Sequence, residues 1–165
     1  MSAVEGFAPI IDDGVQTLIL GNAPSVMALA AQQYYANPRN AFWRITGELF
    51  GFEADAPYEM RTAALLSHKI AVWDVLKFCR RVGSLDSAVE PRSMVPNDFA
   101  ALFDEHRQIT RVLFNGAAAE KNFDRLVRVA PDLSYRRLPS TSPAQTMGYA
   151  DKLAAWRDAL TDRSD

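Results

Sequence analysis

Amides and flat aromatic rings gather in one short stretch of this chain. From Gln32 it reads Gln-Gln-Tyr-Tyr-Ala-Asn-Pro-Arg-Asn-Ala-Phe-Trp, which sets Gln32, Gln33, Asn37 and Asn40 beside Tyr34, Tyr35, Phe42 and Trp43. The rings offer stacking surfaces, and the amides both donate and accept hydrogen bonds. Together they suit a planar ligand with polar edges. Just upstream, the apolar run Leu18-Ile19-Leu20 is stopped by Gly21, and Pro24 keeps Ala23 extended before Ser25 opens a new element. An ordinary strand-to-helix turn accounts for this pattern. Such a turn is also where an open α/β sheet binds ligands, because loop N–H groups and the positive end of the next helix point there.

The elements that must position these groups follow from hydrophobic patterning. Strands are expected at Gln16–Leu20, Ile70–Val75, Arg111–Phe114 and Ser134–Leu138, and the unbroken apolar character of Ile70–Val75 fits a strand covered on both faces. Between them lie a helix from about Ala41 to Phe50 closed by Gly51, one starting at Pro57-Tyr58, one capped by Asn97 and running through Phe103, and one from Ala117 to about Val129, broken by Pro131. An amphipathic helix is expected over Gln145–Leu160, after a short apolar entry segment at Phe7–Ile11 and a stiff loop from Pro139 to Pro143. Strands alternating with helices imply an α/β fold, a three-layer αβα sandwich around a mostly parallel four-stranded sheet. The four strand ends, near Gly21, Asp74, Asn115 and Leu138, then converge on one edge and make a single cleft.

At 165 residues, with 48% apolar and 23% charged residues, the chain reads as one domain over 1–160 with a frayed tail at 161–165. The first residues lack a basic segment leading into an apolar core, and no stretch is long and apolar enough to span a membrane, so a cytoplasmic protein is expected. Cys79 is the only cysteine, which excludes an intramolecular disulfide and a four-thiolate iron–sulfur cluster. With only His68 and His106 beside it, a zinc deaminase site cannot be assembled either. Both histidines read as surface or helix-end residues. The net charge of −2 is awkward for a nucleic-acid binder, yet Lys121, Arg125, Arg128, Arg136 and Arg137 make one stretch basic while Asp12, Asp13, Glu53, Asp55 and Asp158 lie elsewhere.

Taken together, Gly21-Asn22-Ala23-Pro24-Ser25, Gln33-Tyr34-Tyr35, Asn37-Pro38-Arg39-Asn40 and Phe42-Trp43 resemble the uracil-DNA glycosylase superfamily, most closely its hypoxanthine (deoxyinosine) DNA glycosylase branch. Trp73-Asp74-Val75, Gly83-Ser84-Leu85-Asp86-Ser87, Phe114-Asn115-Gly116 and Leu138-Pro139-Ser140-Thr141-Ser142-Pro143-Ala144 are similar to later segments of that branch, in the same order. The resemblance spans nearly the whole chain.

It implies hydrolysis of the N-glycosidic bond of a damaged nucleotide extruded from DNA, by a monofunctional enzyme without metal or cofactor. Asn40 corresponds to the asparagine that orients the attacking water, and Asn22, one residue before the position used by the mismatch-uracil branch, is the rival for that role. Tyr35 corresponds to the aromatic on which the base stacks, Asp74 to the base-reading group, and Ala23 lies at the base with Asn22. Ser140, Thr141 and Ser142 match the segment that grips backbone phosphates and carries the wedge, without the histidine other branches place at Leu138; Asn115, Arg136 and Arg137 would add DNA contacts. No lysine occupies a matched position, so no Schiff-base intermediate is expected. DNA is the expected partner and a monomer the expected state. A G·U mismatch uracil enzyme, a catalytically inactive nucleic-acid binder and a flavodoxin-like small-molecule binder are the alternatives, the last weakened by the absence of a Gly-x-Gly-x-x-Gly loop.

Overall fold

In the computed structural model, which describes residues 2–128 and 132–161, the central sheet has the order β3-β2-β6-β7. Its strands are β2 (Thr17–Gly21), β3 (Ile70–Asp74), β6 (Arg111–Asn115) and β7 (Ser134–Leu138), and every neighbouring pair is parallel. Leu18 and Leu20 pack into one core while Ile19 packs into the other, the alternation a strand buried on both faces must show. On the Ile19 side lie α2 (Phe42–Phe50), α3 (Tyr58–Ser67) and α6 (Tyr149–Thr161). On the other lie α4 (Phe99–Glu105) and α5 (Ala117–Leu126), completing the expected three layers. The short helix α1 (Val26–Ala31) follows the first turn, with Ser25 Oγ accepting the Ala28 N–H as a helix cap.

Sequence patterning missed a second, antiparallel sheet in the order β1-β4-β5, formed by β1 (Ser2–Glu5), β4 (Leu76–Arg81) and β5 (Val95–Pro96). Only Val75 separates β3 from β4, and the backbone N–H groups of Val75 and Leu76 still donate to the carbonyls of Gly21 and Asn22. The chain leaves the central sheet at Asp74 without leaving its neighbour, so one apolar run serves two sheets. The apolar entry segment has a definite job: Ile10 bridges Val72 and covers the β3 edge. At the other edge, β7 is blunted by exposed Arg136 and Arg137.

Several element ends differ from expectation. Asp98, not Asn97, caps α4 by accepting the Ala101 N–H; Asn97 instead donates from Nδ2 to the Asp74 carbonyl at 2.8 Å. Residues 145–148 are bent, irregular backbone before α6 begins at Tyr149, and α5 ends at Leu126, while Val129, Pro131 and residues 162–165 lie outside the described residues. His68 and His106 terminate α3 and α4. Among the described residues no helix is long and apolar enough to cross a membrane.

Candidate active site

The parallel register fixes the floor of a cleft at the carboxyl edge of the sheet. Gly21 pairs with Asp74, and Asn115 pairs with Leu138, so these strand ends lie level and their loops rise around one space. That cleft, about 180 Å³, is lined by Gly21, Asn22, Ala23, Tyr35, Asn40, Asp74, Asn115, Ser140, Thr141 and Ser142 among others. Every expected site residue except the two arginines reaches it.

Gly21 is there because nothing larger fits: a Cβ would stand 2.6 Å from Asp74 Oδ1 and 2.8 Å from the Tyr35 hydroxyl. Tyr35 reaches this point from a left-handed backbone, φ 56°, which costs a non-glycine residue about 1–2 kcal/mol. One face of its ring stacks on Phe42 at 4.2 Å between centroids. Its buried hydroxyl has no hydrogen-bond partner, nor has buried Asp74 Oδ2. Burial raises the Asp74 pKa to about 7, the nearby Asp86 carboxylate adds to the rise, and the Arg81 guanidinium opposes it. Burial, then the charge of Asp74, also pushes the Tyr35 hydroxyl above its ordinary range against the opposing pull of the nearby Asn115 amide, so it stays protonated. Buried polar atoms are rarely left unpaired, and here two of them adjoin at the floor of the cleft.

The two asparagines are held differently. Asn22 is buried and engaged at both ends: its Oδ1 accepts from Asn122 Nδ2 at 2.8 Å, and its Nδ2 donates to Asp86 Oδ1 at 3.0 Å. Asn40 is half-buried, and its Oδ1 accepts the Phe42 N–H at 2.9 Å in the turn that leads into α2, whose N-cap residue is Ala41. That bond fixes the amide's orientation while one lone pair and the Nδ2 protons stay available. Asn40 is thus both a turn residue at the entry to α2 and a cleft residue, and of the two asparagines it has the greater free capacity to hold a water.

Asn115 and Thr141, expected at the DNA, spend their polar groups on each other. Asn115 Nδ2 donates to Thr141 Oγ1 and Asn115 Oδ1 accepts the Thr141 N–H, both at 2.9 Å, with both residues buried. Thr141 also accepts the Ala41 N–H through its carbonyl, which locks the Pro139–Pro143 loop to the Asn40 turn. Ser140 and Ser142 remain half-buried, each accepting a local N–H and keeping its hydroxyl proton to donate. Gly116, at φ 98°, brings the start of α5 against Ser140, where a Cβ would stand 2.9 Å from the serine Cβ. The loop's far side is pinned by α6: Lys152 Nζ donates to the Ser142 and Gln145 carbonyls at 3.1 and 2.9 Å, and Trp156 Nε1 to the Pro139 carbonyl at 2.9 Å. Burial lowers the Lys152 pKa.

The two arginines are corrected in position. They point to opposite sides of β7: Arg136 pairs with Asp158 of α6 at 2.8 Å, and Arg137 stands 3.8 Å from Glu120 of α5. Arg136 is away from the cleft, and Asp158, expected among acids remote from the basic stretch, neutralises part of it. Arg137 lines an adjoining groove.

Three residues at the site were given no role by sequence reasoning. Asn122 shares the buried face of α5 with Ala119 and Phe123, and an asparagine on an apolar helix face is the signal that could have exposed it. Asp86 is exposed as a residue yet turns its carboxylate to Asn22; burial raises its pKa, while the Asn22 bond and Arg81 oppose the rise. Arg81 is fully buried at the end of β4, with Nη2 donating to the Pro24 carbonyl and Nε to the Gly83 carbonyl, and with Nη1 unpartnered. Among the described residues no cluster of three or more His, Cys, Asp or Glu could hold a metal ion.

This geometry has relatives. The chain is 32% identical over 157 residues to a hypoxanthine DNA glycosylase of Methanosarcina barkeri (strain Fusaro / DSM 804), covering 94% of this chain and 97% of that one. It is 34% identical over 152 residues to a hypoxanthine DNA glycosylase of Methanosarcina acetivorans, covering 92% and 94% of the two. The solution NMR structure of a candidate uracil DNA glycosylase from Methanosarcina acetivorans superposes with a TM-score of 0.82 at 32% identity, over 96% of this chain and 97% of that one. The profile of the Uracil DNA glycosylase superfamily matches residues 8–162, a span that contains every cleft residue named above. With the strand-end cleft, its asparagines and its full-length relatives in agreement, the chain belongs to the uracil DNA glycosylase superfamily.

Proposed function

We propose that the chain is a monofunctional DNA glycosylase that hydrolyses the N-glycosidic bond of an extruded deaminated base, hypoxanthine above all, and leaves an abasic site. The observation that carries this reading is the unpaired Asp74 Oδ2 beside the unpaired Tyr35 hydroxyl at the floor of an asparagine-lined cleft. Hypoxanthine presents a ring N–H next to a carbonyl. A neutral carboxylic acid matches that edge with two hydrogen bonds, accepting from the N–H and donating to the carbonyl oxygen. Neutrality also favours the reaction: the departing base becomes anionic, and a donor at its oxygen stabilises that charge where a carboxylate would repel it.

Asn40 holds the attacking water through its free lone pair, with its orientation set by the Phe42 N–H. An amide is no strong base, but a dissociative transition state needs a positioned water more than a deprotonated one. The second face of the Tyr35 ring receives the base, since Phe42 takes the first. Ser140, Ser142 and the backbone at the start of α5 bind phosphate, and Arg137 adds charge from the groove.

The relatives named for hypoxanthine favour that base over uracil, which shares the same hydrogen-bonding edge. The deciding assay uses duplex oligonucleotides carrying one hypoxanthine or one uracil, with wild type and Asn40→Ala in parallel and alkaline cleavage of the abasic product. Release of hypoxanthine by wild type and its loss in Asn40→Ala support both enzyme and water-holding role. Release of uracil alone replaces the substrate. DNA binding without release of either base sinks the enzyme in favour of a binding module.

A further inference from the structure

Two cationic side chains are buried among the described residues, and they are matched differently. Arg81 acts on the carboxylates of Asp74 and Asp86, whose pKa values it holds down. Lys152 of α6, only 4% exposed, has two backbone carbonyls for company, those of Ser142 and Gln145. Among the described residues it forms no ion pair, and no carboxylate opposes the burial that lowers its pKa. Taking a charge out of water without an opposite charge is costly, so a buried ammonium in this state calls for a reason.

The backbone around it suggests one. Ser140 Oγ accepts the Ser142 N–H, Ser142 Oγ accepts the Ala144 N–H, and the Ser142 carbonyl accepts the Gln145 N–H, which winds the segment around the ammonium. A trans peptide sets its N–H opposite its C=O, so turning the Gln145 carbonyl toward Lys152 turns the Thr146 N–H away from it. That N–H has no partner among the described residues. Ser140, Ser142 and Thr146 all line the groove of about 750 Å³ that adjoins the base cleft, with Lys152 behind them. The two arginines of β7 face carboxylates, Asp158 and Glu120, whereas Lys152 faces none. A charge set in low-dielectric surroundings is also screened less by salt than one on the surface.

We propose that Lys152 is the buried cation of the DNA site: it shapes the Ser142–Thr146 backbone from within, and its missing counter-ion is a phosphate of the DNA strand lying in the adjoining groove. The assignment rests on the DNA-binding part of the reading above. Lys152 is then a positioning residue, acting on phosphate through the segment it holds and through its charge, and it takes no part at the reacting atoms. Its contribution belongs to affinity.

The test measures affinity for a duplex carrying a tetrahydrofuran abasic analogue over a range of salt, for wild type, Lys152→Met, Lys152→Gln and Lys152→Arg, with Arg136→Ala as the control for a cation already paired. This probe reads binding without base release. In Lys152→Met and Lys152→Gln the affinity at low salt should fall about tenfold and the slope of log affinity against log salt should drop by about one, while Lys152→Arg and Arg136→Ala keep the wild-type slope. Single-turnover release of hypoxanthine at saturating enzyme should change less than affinity does, because a phosphate contact is made alike in ground and transition states. Lys152→Gln keeps a donor for the two carbonyls, so it decides the matter if Lys152→Met fails to fold. An unchanged slope in Lys152→Gln, with or without lost affinity, or a slope that drops equally in Lys152→Arg, makes Lys152 a structural prop and overturns the assignment. A wild type that does not bind the duplex overturns it together with the glycosylase reading. A wild type that binds yet releases no base overturns the hydrolase alone, and the slopes still decide Lys152.

Discussion

The floor and the wall of the cleft are built on opposite terms. On the wall, two hydrogen bonds chain Asn122 to Asn22 and Asn22 to Asp86, and Asn115 and Thr141 close on each other. On the floor, Asp74 Oδ2 and the Tyr35 hydroxyl are buried without partners. A satisfied network rigidifies, and it has little left to offer a ligand. An unsatisfied pair costs stability in the free protein and regains it when a ligand supplies the missing bonds. The wall therefore sets the shape of the cleft, the floor keeps unspent polar groups at its base, and Asn40, half engaged, stands between the two.

The largest effect that would sharpen this contrast is in Asn40. Asn40→Ala should lower single-turnover base release about 10²–10⁴-fold while costing only about 1 kcal/mol of stability through the lost bond to the Phe42 N–H. Melting and release measured on the same preparation separate the two, and a fall in release no larger than the stability loss implies would return Asn40 to a purely structural role.

Next comes Asp74, whose folded-state pKa of about 7 lies above its ordinary 3.8. Below the unfolded value the group is protonated in both states and its contribution to stability is complete; as pH rises through 7 the folded state must ionise a buried group, and that contribution is lost. Wild type should thus lose stability relative to Asp74→Asn between about pH 4 and 7, by up to roughly 4 kcal/mol. Base release should decline as pH rises past 7 in wild type and stay level in Asp74→Asn, whose amide copies the neutral acid. A wild-type rate that climbs through pH 7 would mean that the carboxylate, not the acid, reads the base.

On the wall the balance should reverse. Asn122→Ala leaves buried Asn22 Oδ1 without its donor and should cost about 1–3 kcal/mol of stability, with release changed by less than about tenfold where the protein is folded. Thermal melts and release rates decide it, and a loss of activity with unchanged stability would place Asn122 among the functional groups. Smallest of all, Arg136→Ala removes an exposed pair with Asp158 and should shift stability by no more than about 0.5 kcal/mol. The slope of DNA affinity against salt should also be unchanged, whereas a decrease of about one would show a phosphate contact there.

Much of this was legible locally. The strands, the turn at Gly21, the new element opened at Ser25 and the convergence of four strand ends follow from apolar runs and their punctuation by glycine and proline, which act within a few residues. The second sheet was not, because β4 alternates only partly and its partners are distant, with Ser2 opposite Arg81. Arg136 and Arg137 read alike as basic neighbours, but a strand sends successive side chains to opposite faces, and what waits on each face is set by helices elsewhere in the chain.

The amino-acid sequence by itself determined the α/β order, the residues gathered at the sheet's carboxyl edge and, through its motifs, the superfamily. Only the tertiary structure decided which of those residues are free. Asn22 meets Asp86 and Asn122 across 64 and 100 residues of chain, and Asn115 meets Thr141 across 26. Whether a polar group is spent on the protein or kept for a ligand depends on such non-local partners, which residue types and spacing do not encode locally.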